Sequence, residues 1–182
     1  MEKDRNFLRK YLINYKKLTS MLDEEKIFSL LQMVKNLKKK NKILIYGNGA
    51  GAAIASHVAS DFANHAKIRA ISFDNSAQLT CLSNDYKFEN WVTKTIEYYY
   101  DKGDLIILLS ASGNSKNMVN AANYCNKKKI NFFSITGFNK KNKLRNLSKK
   151  SYWINSKSYN FVELIQLLIL LSIVDFIGQK NK

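Results

Sequence analysis

The sequence predicts a doubly wound α/β protein, a five-stranded parallel sheet flanked by helices and preceded by a pair of helices. Two observations carry this. Five short apolar runs, "KILIY" (42–46), "RAISF" (69–73), "DLIILL" (104–109), "INFFSI" (130–135) and "SYWIN" (151–155), alternate with helix-length amphipathic stretches, the pattern of strands buried on both faces by their crossovers. The first and third runs lead directly into small-residue loops, "GNGAG" (47–51) and "SASGNS" (110–115), at the rim where open parallel sheets bind ligands.

The elements follow in order. A helix is expected over about residues 4–20. A second begins at Asp23, where "DEEKIFSLLQMVKNLKKK" spaces Ile27, Leu30, Leu31, Val34 and Leu37 on one face, with acids in the first turn and lysines in the last, as a helix dipole prefers. Residues 1–40 thus form the N-terminal helices and 42–155 the α/β core. Residues 159–178 form a last helix whose stretch "FVELIQLLILLSIVDFIG" carries Glu163, Gln166 and Asp175. Those polar residues leave it short of the roughly 20 apolar residues that span a bilayer, so it reads as a core helix. No stretch resembles a linker, and one domain over 1–182 is expected.

Composition narrows the function classes. The formal charge of +16 comes from 26 Lys and only 4 Arg, dispersed through runs such as "KNLKKKNK" and "NKKNKLRNLSKK". No aromatic-interleaved motif accompanies them, so they are read as solvated surface, with nucleic acid kept as a lesser reading. Cys81 and Cys125 lie 44 positions apart with no partners at metal spacing, which argues against a disulfide framework or a zinc knuckle. The charged opening "MEKDRNFLRK" lacks the apolar core of a secretory signal, and a cytoplasmic protein is expected.

The loops supply the chemistry. "GNGAG" lets the backbone turn tightly and approach a ligand, and the helix after it offers unpaired N–H groups to an anion. In the second loop Ser110, Ser112 and Ser115 add hydroxyls around Gly113, again before a helix, a suitable cradle for a phosphate on a small organic body. One hydroxyl would suffice for an N-cap; three exceed that need. A dinucleotide-binding reading competes, because Gly47, Gly49 and Ala52 fit G-x-G-x-x-A and Asp74 follows the second run. A dinucleotide fold, however, has no use for a second phosphate cradle after its third strand.

The stretches "YGNGAGAAIASHVASDFA", "FDNSAQLTCLSNDYKFE", "LLSASGNSKNMVNAA" and "FFSITG" resemble the sugar isomerase (SIS) domain family, and within it the phosphoheptose isomerases. Those enzymes interconvert sedoheptulose 7-phosphate and glycero-manno-heptose 7-phosphate. The resemblance implies a flavodoxin-like strand order and substrate contacts by Asn48, Gly49, Ala50, Asn84, Asp85, Ser110, Ala111, Ser112 and Ser115. It also implies a homotetramer with sites built partly between subunits. The family's catalytic base, a Glu four residues after a His, falls on Asp61 after His57, and this pair would be the seat of any zinc. The family's Gln and, eight residues on, its catalytic His fall on Val162 and Leu170; sliding onto Gln166 puts Val174 at the His, and no His follows His65. His57, Asp61 and His65 share one helical face by their spacing. The expectation is therefore a sugar-phosphate-binding protein with a degenerate catalytic set. The alternative is a non-catalytic interaction protein, similar to the replication-initiator-associating members of the family.

Overall fold

The computed structural model describes residues 2–179. Along the chain run α1 (Glu2–Ser20), α2 (Glu24–Lys35), β1 (Ile43–Tyr46), α3 (Ala50–Asn64), β2 (Ala70–Ser72), α4 (Ser76–Tyr86), α5 (Trp91–Tyr99), β3 (Leu105–Ser110), α6 (Lys116–Lys128), β4 (Phe132–Thr136), α7 (Lys143–Leu147), β5 (Ser151–Trp153) and α8 (Tyr159–Gln179). The five strands pair in parallel in the order β2-β1-β3-β4-β5, the flavodoxin-like arrangement. Strand order reverses between β1 and β3, so the loops following these two strands meet at the switch point.

The largely apolar strands β1, β3 and β4 are buried at every residue, Ser110, Ser134 and Thr136 included, because successive side chains point to opposite faces and both faces are covered. On one face Ile43, Ile45, Leu105, Ile107 and Leu109 pack with α2, α3 and α8. On the other, Leu44, Tyr46, Ile106 and Leu108 pack with α4, α5 and α6. Burial on both faces does not extend to β2: Ile71 is 37% exposed. With only β1 beside it, this edge strand shortens to three residues. The five-residue α7 was not anticipated; it is started by Asn142, whose side chain accepts from Arg145 N.

Helix α8 is long and apolar enough to cross a membrane, with mean hydropathy 2.2, but 44% of that stretch is already buried. Phe161, Val162, Ile165, Gln166, Ile169, Leu170, Ile173 and Val174 face the interior, where α8 lies along α3. Its buried face makes it a core helix, as expected, although length and composition alone would pass for a span.

At the amino ends of the strands a charged lock joins β1 to β3. Lys42 Nζ lies 2.7 Å from Asp101 and 2.6 Å from Asp104. Asp104 also accepts from Lys42 N (2.9 Å), Asn41 Nδ2 (3.1 Å) and Asp101 N (2.9 Å). Every lone pair that burial withholds from water thus has a donor, the condition under which an interior ion pair is tolerated. At the other extreme, α1 buries no residue. It is tied down by Tyr11 and Tyr15, whose rings lie 4.5 and 6.3 Å from Phe161, and Phe7, Leu8, Leu12 and Ile13 are exposed.

Candidate functional site

The site begins where β3 ends in the buried Ser110. The chain must reverse at once to start α6, and Gly113 allows it with φ +66°; a Cβ there would also collide with the Asn142 side chain. Asn142 is fixed in turn, its Nδ2 donating to Thr136 Oγ1 (3.1 Å) and Asn139 O (2.8 Å), and Leu144 N donates to Gly113 O at 2.9 Å. The loop therefore sits on a rigid bed.

The three hydroxyls do not cap α6. Ser110 Oγ donates to Ser115 Oγ and accepts from Gly113 N, both at 3.2 Å. Ser112 Oγ accepts from Asn114 N at 3.2 Å. Ser115 occupies the N-cap position, yet its side chain makes no capping bond. The first-turn amides of Lys116 and Asn117 are left without a capping hydroxyl, beside hydroxyls that can still turn outward. Hydroxyls and helix amides in this arrangement complement an anion.

The glycine loop is held to this assembly by a reciprocal amide pair: Asn48 Nδ2 donates to Asn117 Oδ1 at 3.0 Å and Asn117 Nδ2 to Asn48 Oδ1 at 2.8 Å. Asn48, Ser110, Ala111, Ser112 and Ser115 then line a recess of about 110 Å³. Helix α8 closes it with Tyr159, Glu163 and Gln166, whose i, i+4, i+7 spacing puts them on one helical face. Gln166 is anchored by donating to Ile135 O at 2.8 Å. The Tyr159 ring rests 4.7 Å from Phe138, a residue with φ +54° two positions beyond β4. Burial raises the Glu163 carboxyl above its ordinary value. A second cavity of about 420 Å³ shares Asn48 and Ser115 and is bordered by Lys87, Phe88, Glu89 and Lys116. A narrow polar recess thus adjoins a space several times its size.

Other expected residues stand apart. Gly49, with φ +54°, and Ala50 start α3 and do not line the recess. Asn84 and Asp85 are exposed on α4, joined to each other at 3.1 Å. His57 Nε2 and Asp61 Oδ2 meet at 3.5 Å on α3; Asp61 is ten residues past Gly51, roughly 15 Å along the axis. His65 caps the far end of α3. Val162, Leu170 and Val174 are fully buried and apolar. Asp74, the ribose partner of the dinucleotide reading, accepts from Ser72 Oγ at 3.0 Å.

These facts bear on zinc, which takes three or four N, O or S donors. His57 and Asp61 supply two, and the described residues contain no group of three His, Cys, Asp or Glu able to hold an ion. Val162 and Leu170 offer none. The residues of this chain alone do not fit a zinc site. Sequence reasoning missed Asn117, Tyr159, Glu163 and Gln166 as site residues. The last two were visible as polar breaks in an apolar helix: Glu163 was read only as evidence against a membrane span, and Gln166 also as an alternative register for the family's Gln, which left Val174 at the His.

A doubly wound sheet with a serine cradle at its switch point defines a class, and residues 11–137 match the SIS domain family: the chain belongs to it. The relatives are specific. Phosphoheptose isomerase 2 of Campylobacter jejuni is 35% identical over 130 residues, 64% of this chain and 64% of that protein, just under two thirds of its length. The phosphoheptose isomerase of Fusobacterium nucleatum is 28% identical over 180 residues, 93% of this chain and 92% of that one. The structure of a phosphoheptose isomerase from Neisseria gonorrhoeae shares the fold with a TM-score of 0.87, at 22% identity, over 97% of this chain and 99% of that one. The chain is phosphoheptose isomerase-like, and neither the alternative of a non-catalytic interaction protein nor the dinucleotide reading is favoured.

Proposed function

We infer that this chain binds a sugar phosphate, its phosphoryl group in the serine recess and its sugar in the adjoining cavity, and that it is a phosphoheptose isomerase-type protein with a reduced proton-transfer set. The observation that carries this reading is Ser115, an N-cap residue that does not cap: with Ser110 and Ser112 it leaves a helix N-terminus and three hydroxyls facing one recess. The names of the relatives support a heptose phosphate as the ligand.

Aldose–ketose isomerisation moves a proton between neighbouring carbons through an enediol, and it needs a base and an acid held close to both. Asp61 is one methylene shorter than the base it resembles, and buried aliphatic side chains fill the positions of the Gln and His. General acid–base help is worth about 10²–10⁴-fold, so turnover falls far below that of a complete enzyme. Asp61 stands outside the recess of its own chain, in keeping with a homotetramer whose sites are shared between subunits. The exposed apolar face of α1 supplies a surface for such assembly, and we place the protein in the cytoplasm.

Two measurements with sedoheptulose 7-phosphate test the reading: calorimetric binding, and conversion with and without added Zn²⁺. Binding with turnover at least about a hundredfold below that of complete relatives is expected. Absence of binding would remove the phosphate site, and undiminished turnover would show the catalytic set to be intact.

A further inference from the structure

The recess that receives the phosphoryl group in the reading above also contains a carboxyl group. Glu163 lines it with the three serines, and among the described residues it makes no hydrogen bond or ion pair. The space is about 110 Å³, that of a few water molecules, so an anion placed there shares a small enclosure with the Glu163 side chain. We propose that Glu163 is the proton acceptor of the phosphate recess: the phosphoryl dianion enters together with one proton from solvent, and the bound state is a dianion facing a neutral carboxylic acid. The balance is simple. A carboxylate, a dianion and a proton become a carboxylic acid beside a dianion, with no bond broken in the ligand.

The surroundings leave little alternative. This chain has 26 lysines, yet no Lys, Arg or His lines the recess. Tyr159, on α8 itself, is the other titratable group that does. Lys87 and Lys116 border the neighbouring cavity, where Lys116 Nζ lies 3.7 Å from Glu89 and so already faces an acid. Helix α3, packed along α8, brings His57 and Asp61, which face each other outside the recess. Helix α1 meets α8 through Tyr11 and Tyr15 against Phe161. With only hydroxyls, amides and a helix terminus to offset it, a dianion beside an ionised Glu163 is a like-charge pair, and such pairs titrate by taking up a proton. Burial already moves the free carboxyl toward the neutral form. Once neutral, its O–H becomes a donor for a phosphoryl oxygen, so the group that would repel the ligand adds a hydrogen bond to it.

The inference rests on the sugar-phosphate reading, and the experiment separates the two. Titrate the full chain with sedoheptulose 7-phosphate by calorimetry at pH 8, where a phosphate monoester with second pKa about 6 is already a dianion. Use two buffers of different ionisation enthalpy. The expected result is net proton uptake in the wild type, with affinity weakening as pH rises from 7 to 9. In Glu163→Gln the uptake disappears, the affinity becomes flat over that range, and at pH 9 it is at least about tenfold tighter than wild type, as removal of one like charge requires. Binding by the wild type without proton uptake overturns the role of Glu163, as does an unchanged pH dependence in Glu163→Gln. If that variant does not fold, the wild-type proton count decides alone. Absence of binding at every pH sinks the phosphate reading itself, and the inference with it.

Discussion

Ser112 and Ser115 carry the most direct test at the level of single residues. Each hydroxyl lost from a charged acceptor costs about 1.5–3 kcal/mol, so Ser112→Ala with Ser115→Ala weakens sugar-phosphate binding at least tenfold by calorimetry. Neither hydroxyl caps α6, so the melting temperature should hardly move; an equal loss of stability would mean that the serines serve the helix. Asp61→Asn should abolish residual heptose phosphate isomerisation in a coupled assay, since the described residues leave no acid at Val162 or Leu170 to substitute. Survival of activity would transfer the proton to another group. Gly113→Ala makes a third case. Its φ of +66° and the collision with Asn142 predict a loss of more than about 1 kcal/mol, the upper end of what a compatible Gly→Ala gains, together with lost ligand binding. Urea denaturation reads the first effect.

Between elements, the lock joining β1 to β3 gives a stability profile with a sign at each end. Burial alone would raise the Asp104 carboxyl; hydrogen bonds from Lys42, the Asp101 and Lys42 amides and Asn41 instead hold it below the ordinary 3.8. Burial alone would lower the Lys42 ammonium, but Asp101 and Asp104 hold it above 10.5. A lowered acid contributes stability above the unfolded value and loses it as pH falls through the folded one; a raised base contributes below its unfolded value and loses it as pH rises through the folded one. The urea midpoint should therefore drop below about pH 4 and again above about pH 10, and Asp104→Asn should flatten the acid limb. Asp104→Ala strands a buried ammonium and costs about 3 kcal/mol, the low end of the usual range because Asp101 remains. The same pairing of elements explains what could be read in advance. Strands and the two loops were legible because period, glycine and serine are local signals. Glu163 and Gln166 were not, because they reach the serine loop only when α8 docks more than 45 residues later in the chain, and nothing near them in sequence marks that contact. Edge position likewise decides that β2 is short and half-exposed, and no run of apolar letters encodes an edge.

For the whole molecule, the exposed apolar face of α1 is the feature to test. Phe7, Leu8, Leu12 and Ile13 are each more than half exposed, an arrangement that usually marks an interface. Light scattering at micromolar concentration should give the mass of a tetramer, and Leu8→Lys with Leu12→Lys should give smaller particles with the fold intact by circular dichroism; a monomeric wild type would overturn this. The charged lock shares no residue with the recess or with α1, so its variants report on stability apart from binding and assembly. The buried aliphatics of α8 have a consequence in time rather than in space. Where relatives are expected to carry a Gln and a His, Val162 and Leu170 are wholly buried. Restoring a His at 170 would place an imidazole among aliphatic groups with no partner, at about 1–3 kcal/mol, before any proton could be moved. Packing of this kind acts as a ratchet: exchanging the aliphatic group at 170 for a proton donor must first destabilise the interior around it.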